Sequence, residues 1–180
     1  ELRNIFDEHS GLQDRFINTG RVSHELARRL GLIGLAGRAS GQAWDLRVDF
    51  PTAPYRELAV RKIVSTGGDV AARVKARFEE LDESLRLIRA IAQSLPEGEL
   101  MVDLPQPASG AFGVGWIEGW RGEVLVALKA GESGRIRRCH AHDPSWQNWP
   151  LLEHAVIGNI VADFPLINKS FNLSYSGADC

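Results

Sequence analysis

Two cysteines in 180 residues, Cys139 and Cys180, are too few for a disulfide scaffold. They form no Cys-x-x-Cys pair, so neither a zinc ribbon nor a four-thiolate site can be built within the chain. No stretch approaches the ~18 apolar residues of a membrane span, and the N-terminus lacks the charged-then-apolar-then-small order of a signal peptide. A basic excess is also missing: Lys plus Arg number 21 against 23 Asp plus Glu, a formal charge of -2. Phosphate neutralisation drives general nucleic-acid binding, so nucleic acid is not an expected partner. There is no P-loop, Gly-x-Ser-x-Gly elbow or His-Glu-x-x-His. Gly113-Val114-Gly115 fails as a dinucleotide loop, because the third glycine falls at Glu118 and a strand follows instead of a helix.

What is present is ordinary globular usage, 44% apolar and 24% charged residues in 19.9 kDa, enough for one sizeable domain. The few thiols fit a reducing cytoplasm. The chain opens Glu1-Leu2-Arg3, without an initiator Met and already helical in pattern, which reads as a piece of a longer polypeptide.

The periodicity predicts helices over 1–31 and 69–95, a β-meander over 112–141, and a C-terminal helix and tail over 145–180. Leu2, Ile5, Phe6, Leu12 and Phe16 share one helical face up to Thr19-Gly20, and Ser23 caps a short second helix that stops at Gly31. Residues 31–56 are expected to be an ordered, loop-like segment anchored by Trp44, Leu46, Phe50 and Tyr55. From the cap Asp69 to the stop Pro96, Val74, Phe78, Leu81, Leu85, Ile88, Ala92 and Leu95 recur at helical spacing. The charges between them, Arg73 and Glu83 included, read as a solvated face. After a Pro- and Gly-containing linker over 96–111, Phe112–Ile117, Glu123–Lys129 and Arg135–Ala141 alternate as strands between Gly-bounded turns. A last helix is expected from Trp149 to Phe164, broken at Pro165. The fold class expected is mainly α with a small antiparallel meander, α+β.

Few residues suggest chemistry. His140 and His142 share a strand face that excludes Cys139, and a metal there needs further ligands, Asp143 being the nearest; polar residues beside a turn are the simpler reading. Glu153 and His154 point about 100° apart on a helix, a poor acid–base pair.

A set of segments adds to this. Arg38-Ala39-Ser40-Gly41 followed by Trp44-Asp45-Leu46-Arg47, Tyr55-Arg56-Glu57-Leu58, Gly68-Asp69-Val70-Ala71-Ala72-Arg73 and Glu118-Gly119-Trp120-Arg121-Gly122-Glu123 resembles, in the same order, the large 49 kDa quinone-site subunit of respiratory complex I and its nickel–iron hydrogenase relatives. Pro144-Ser145-Trp146-Gln147-Asn148 is similar to an element of the formate-hydrogenlyase and hydrogenase-4 type. The resemblance implies the C-terminal portion of a hydrogenase-like large subunit. It also implies an NADH- or formate-linked oxidoreductase with quinone as acceptor, in which electrons pass between an iron–sulfur partner subunit and quinone. The chain itself would bind no cofactor and catalyse nothing alone. It would sit in the cytoplasm, peripheral to the inner membrane through membrane subunits of a complex I-like or hydrogenase-4-like assembly.

One departure stands out. The family's C-terminal nickel-binding Cys-x-x-Cys aligns with Ser174 and Gly177, a poor donor and no side-chain donor for a soft metal, and Cys180 is three residues late. No nickel chemistry is therefore expected. Arg38, Ser40, Asp45 and Arg47, with Ser174 and Gly177, are expected to line what remains of the cavity. Arg38 would offer donors to an oxygen, whereas Asp45 and Arg47 could equally pair with each other or with the long helix. The other reading is a non-redox scaffold of the same kind of membrane-associated complex.

Overall fold

The computed structural model describes residues 1–99 and 101–178, so Cys180 lies outside the described residues. Helices α1 (Leu2–Glu8) and α2 (Ser10–Phe16) replace the single first helix expected, because His9 takes an extended backbone between them. The break turns Phe6 onto Phe16 and Phe78, with ring centroids 5.8 and 6.1 Å away. The Gln13 side chain donates to the Phe6 carbonyl at the break. Leu2 and Ile5 are left exposed. Helix α3 (His24–Leu30) starts at Ser23, whose Oγ accepts from the Leu26 N–H at 3.2 Å, and ends at Gly31 in the left-handed region.

The expected loop at 31–56 instead contains α4 (Gly34–Ala39) and α5 (Leu46–Asp49), and every residue of α4 is buried. A helix enclosed on all sides has no polar face, so it lacks the periodic signal by which helices are read. Its small residues let backbone come close. A Cβ on Gly34 (φ +66) would run into the Arg121 carbonyl oxygen, and one on Gly37 would stand 2.5 Å from the Leu32 carbonyl oxygen.

Helix α6 (Val70–Gln93) starts at Asp69, whose carboxylate accepts from the Ala72 N–H at 2.8 Å. Its orientation follows the expectation at Val74, which packs on the main core, and departs from it further along. Leu81, Leu85 and Ile88 are 47, 45 and 61% exposed, while Arg73 and Glu83 are 0 and 1% exposed. The inward face is built from Ala72 and Ala76, which pack on Leu35 and Ala39 of α4, and its charged residues are buried because they bring their own partners.

Strands β1 (Phe112–Glu118), β2 (Glu123–Ala130) and β3 (Ile136–His142) form an antiparallel sheet in the order β1-β2-β3, with a register irregularity at Lys129/Ala130. The final helical region begins five residues before Trp149. Helix α7 (Pro144–Ala155) is capped by Asp143, which accepts from the Ser145 N–H at 2.8 Å, and proline at its first turn favours a helix start. The same chemistry repeats in α8 (Phe164–Phe171), where Pro165 opens a helix and does not break one. A last turn, α9 (Tyr175–Ala178), packs on α7. Val22, Val70, Leu151, Leu152, Ile167 and Phe171 form the main core, where α3, α6, α7 and α8 meet.

Candidate functional site

The Glu118–Glu123 turn between β1 and β2 is seated on α4. Gly119 and Gly122 exchange backbone hydrogen bonds of 2.7 and 3.2 Å. The Arg121 carbonyl and Gly122 Cα lie where a side chain on Gly34 would be. Arg121 Nε donates to the Asn172 carbonyl at 2.5 Å, tying the turn to the end of α8. This seat carries Glu118 to Arg38. Arg38 Nη1 donates to Glu118 Oε1 at 2.8 Å and to the Trp44 carbonyl at 3.0 Å, and its Nε donates to Glu80 Oε1 at 2.7 Å. Asp45 stands 3.8 Å from the same guanidinium. One arginine therefore joins α4, α6 and β1.

The Trp-Asp-Leu-Arg block closes the other side. Asp45 caps α5 by accepting from the Arg47 N–H at 3.0 Å, and its two oxygens accept from Arg47 Nε at 3.0 Å and Nη2 at 2.7 Å. The indoles of Trp44 and Trp116 both donate to Glu123. Burial alone would raise the Asp45 pKa, but hydrogen bonds from Arg47 and the charges of Arg38 and Arg47 hold it below the usual carboxylate range. Burial likewise works against Arg38, but the carboxylates of Glu80 and Glu118 outweigh it and raise its pKa above the ordinary arginine value. Glu123 is pushed up by burial and by the Glu118 charge.

Arg38, Arg47, Tyr55, Glu80, Glu118 and Trp120 line a cavity of about 260 Å³, which Arg77 and Ser84 extend. Arg38 is held protonated and Asp45 ionised, so this pair exchanges no proton near neutrality. The cavity can orient polar oxygen atoms, and its wall supplies no activated nucleophile.

Ser40 and Asp45 lie behind this wall. Ser40 is fully buried, and its Oγ has no hydrogen-bond partner among the described residues. Ser174 and Gly177, expected on this same cavity, are instead at the start of α7 and line no part of it. Ser174 N–H donates to Ser145 Oγ at 2.9 Å, and Ser174 Oγ accepts from the Gly177 N–H at 3.3 Å while also bonding Ser176 at 3.0 Å. A Cβ on Gly177 would meet the Asp143 carboxyl at 2.7 Å. A neutral hydroxyl engaged as a cap, beside a residue with no side chain, does not fit a nickel centre. Among the described residues no group of three or more His, Cys, Asp or Glu is placed to hold a metal. The His142 ring packs edge-on against Trp146 at 5.7 Å.

Reading the residues alone missed Asn148 and Arg73 as organisers. Buried Asn148 accepts from the Ile33 N–H at 3.1 Å and donates to the Ile33 carbonyl at 3.2 Å, and Gln147 donates to the Gly31 carbonyl at 2.9 Å. These bonds fix the entry into α4, and so Arg38. Arg73 donates to Ser170 Oγ and to the Gly68 and Gly20 carbonyls at 2.8–2.9 Å, and lies 4.2 Å from the Phe171 ring centroid. Burial pushes its pKa down to about 9, which still leaves it charged at neutrality. The spacing of Asp69 and Arg73 carried the signal: a cap residue four positions before an arginine places both at one helix start.

A family model described as the 49 kDa subunit of the respiratory-chain NADH dehydrogenase matches residues 1–111. The chain is 32% identical over 179 residues to formate hydrogenlyase subunit 5 of Escherichia coli (strain K12), covering 99% of this chain and 32% of that protein. It is 33% identical over 175 residues to an NADH-quinone oxidoreductase subunit of Syntrophobacter fumaroxidans, covering 95% of this chain and 45% of that one. In fold it matches a chain of the membrane-bound sulfane sulfur reductase, an archaeal respiratory membrane complex, with a TM-score of 0.86 at 24% identity, over 99% of this chain and 51% of that one. The chain thus spans about a third to a half of the length of these relatives.

Proposed function

Because the chain belongs to the 49 kDa subunit family of the respiratory-chain NADH dehydrogenase, we propose that it is the C-terminal portion of a large subunit that passes electrons between an iron–sulfur partner subunit and quinone, without nickel. The relatives divide between hydrogenases and quinone reductases, as the names formate hydrogenlyase and NADH-quinone oxidoreductase indicate. The arrangement at Ser174 and Gly177 carries the choice between them. There the Asp143 carboxyl stands where a side chain on residue 177 would go, and the Ser174 hydroxyl is bonded within its own turn. The intact subunit works from the membrane surface through partner subunits. Among the described residues no helix is long and apolar enough to cross a membrane.

The test is to purify the complex that contains the full-length subunit, measure its nickel by elemental analysis and assay quinone-dependent turnover. Substoichiometric nickel with quinone reduction is expected. Stoichiometric nickel, or a redox-active complex indifferent to quinone, refutes the proposal.

A scaffold role without redox chemistry is favoured by one observation: the carboxylates that line the cavity, Glu80 and Glu118, are both already engaged by Arg38. A stable, full-length complex without an iron–sulfur partner or quinone response would support that reading.

A further inference from the structure

Arg77 lies on the inward side of α6, one turn beyond Arg73, and its guanidinium donates to the Ser170 carbonyl at 3.1 Å. Among the described residues it has no carboxylate within ion-pair distance. Glu80, the acidic group that acts on it electrostatically, is already bonded to Arg38. Burial lowers the Arg77 pKa, and Glu80 only partly offsets this. A half-buried guanidinium without a counter-ion is costly unless an anion reaches it.

Its position indicates what that anion is attached to. Arg77 and Trp120 belong to two cavities at once, the polar one of about 260 Å³ described above and a second of about 400 Å³. The second is apolar, walled by Phe16, Val70, Val74 and Leu166. Lys169 also lines it, and among the described residues no acidic side chain does. Lys169 likewise has no ion-pair partner among the described residues. The chamber's size falls in the range of small-molecule sites. An apolar chamber lined by two cations that have no ion-pair partner among the described residues, and by the half-exposed Trp120 indole, is complementary to a molecule with an anionic end and a hydrocarbon body.

We propose that this cleft binds a long-chain carboxylate, with the carboxylate on Arg77 and Lys169 and the acyl chain running past Trp120 into the chamber walled by Phe16, Val74 and Leu166. The two parallel N–H groups of a guanidinium match a carboxylate bidentately, and the lysine adds charge without a geometric demand. This site is separate from the Ser174–Gly177 region and does not depend on the quinone reading.

The test uses the full-length subunit and a dibrominated stearate, whose bromines quench tryptophan at short range. Saturable quenching is expected. Trp120→Phe should remove most of the quenching, with stearate affinity by calorimetry weakened less than in either cation variant described next. Arg77→Met should weaken binding about tenfold or more, as loss of a charge-assisted bond implies, with far-UV circular dichroism unchanged. Lys169→Gln, at an exposed position, should weaken it in the same direction. Stearic acid methyl ester should not compete. Unchanged affinity in both cation variants, equal competition by the ester, or equal displacement by a neutral short-chain quinone overturns the proposal.

Discussion

Replacing Arg38 with methionine keeps much of its aliphatic packing but removes the guanidinium that Glu80 and Glu118 bond at 2.7 and 2.8 Å. Glu118 is only 3% exposed and Glu80 16%, so neither carboxylate can fully rehydrate without moving the turn or the helix that carries it. Removing one partner of a buried ion pair costs roughly 3–5 kcal/mol, because an uncompensated charge remains. For a domain of this size, that lowers the melting temperature by about 6–20 °C. Calorimetric melting of the intact subunit measures the loss, and a second variant isolates its cause. In the Arg38→Met background, Glu118→Gln removes one stranded charge and should restore about 1–2 kcal/mol, whereas alone it destabilises. A loss below about 1 kcal/mol in the single variant, or no recovery in the double, would refute the view that Arg38 is the electrostatic hub of the cavity.

Asn148→Ala strands the part-buried Ile33 N–H and carbonyl and should cost about 1–3 kcal/mol in urea unfolding. Leu81→Gln, Leu85→Gln and Ile88→Gln, placed on the outward stripe of α6, should each change the stability of the isolated chain by no more than about 0.5 kcal/mol. Losses of core size would mean that the helix faces the other way. Gly34→Ala must move the Arg121 carbonyl, so it should destabilise the chain and shift amide resonances of the 118–122 turn, seen by two-dimensional nuclear magnetic resonance. Glu83 is pulled down to about 2 by hydrogen bonds from Arg86, with burial opposing and Arg61 adding to the pull. A depressed carboxylate stabilises the folded state above its ordinary value of 4.5, and the contribution is lost as pH falls from there toward 2. That contribution is about 1–3 kcal/mol, since the arginines that hold it are solvent-exposed. Glu83→Gln should flatten the pH dependence of stability in this window.

The strands were legible because each alternating run is bounded by glycine-rich turns, and the resulting register puts Glu118 opposite Glu123. The caps Ser23 and Asp69 were legible for a similar reason, since one side chain and a local spacing define them. The inward face of α6 was not. Hydrophobic periodicity assigns Leu81, Leu85 and Ile88 to the core and Arg73 and Glu83 to water. Burying those charges requires acceptors and donors brought by distant residues: Gly20, Ser170 and Arg61. Helix α4 escaped notice because a fully enclosed helix rich in glycine and alanine has no polar side to alternate with. At Pro165 the helix-start signal was present but read as a stop, and at Asp143-Pro144 it was read as a turn, since proline serves in all three places. The cavity residues divide along the same line. Asp45 and Arg47 are two residues apart and pair as proximity allows, whereas the link from Arg38 to Glu118 spans the sheet and needs the turn seated on Gly34.

The long helix is fastened by unlike chemistries along its length. Near its start Arg73 rests on two carbonyls and a hydroxyl, partners that neither take up a proton in the acid range nor carry a charge for added salt to screen. Some three turns on, about 15 Å by the ~1.5 Å rise per residue, the ionised Glu83 grips the 61-region and its own next turn through the Arg61 and Arg86 guanidiniums, with the Arg61 backbone N–H adding a bond of 3.0 Å. Acid and salt therefore act on one clasp and spare the other. Partial opening of the molecule should begin at the stretch around Arg61 and peel back toward Leu87, while the junction of Gly20, Gly68 and Ser170 stays shut until the whole fold gives way.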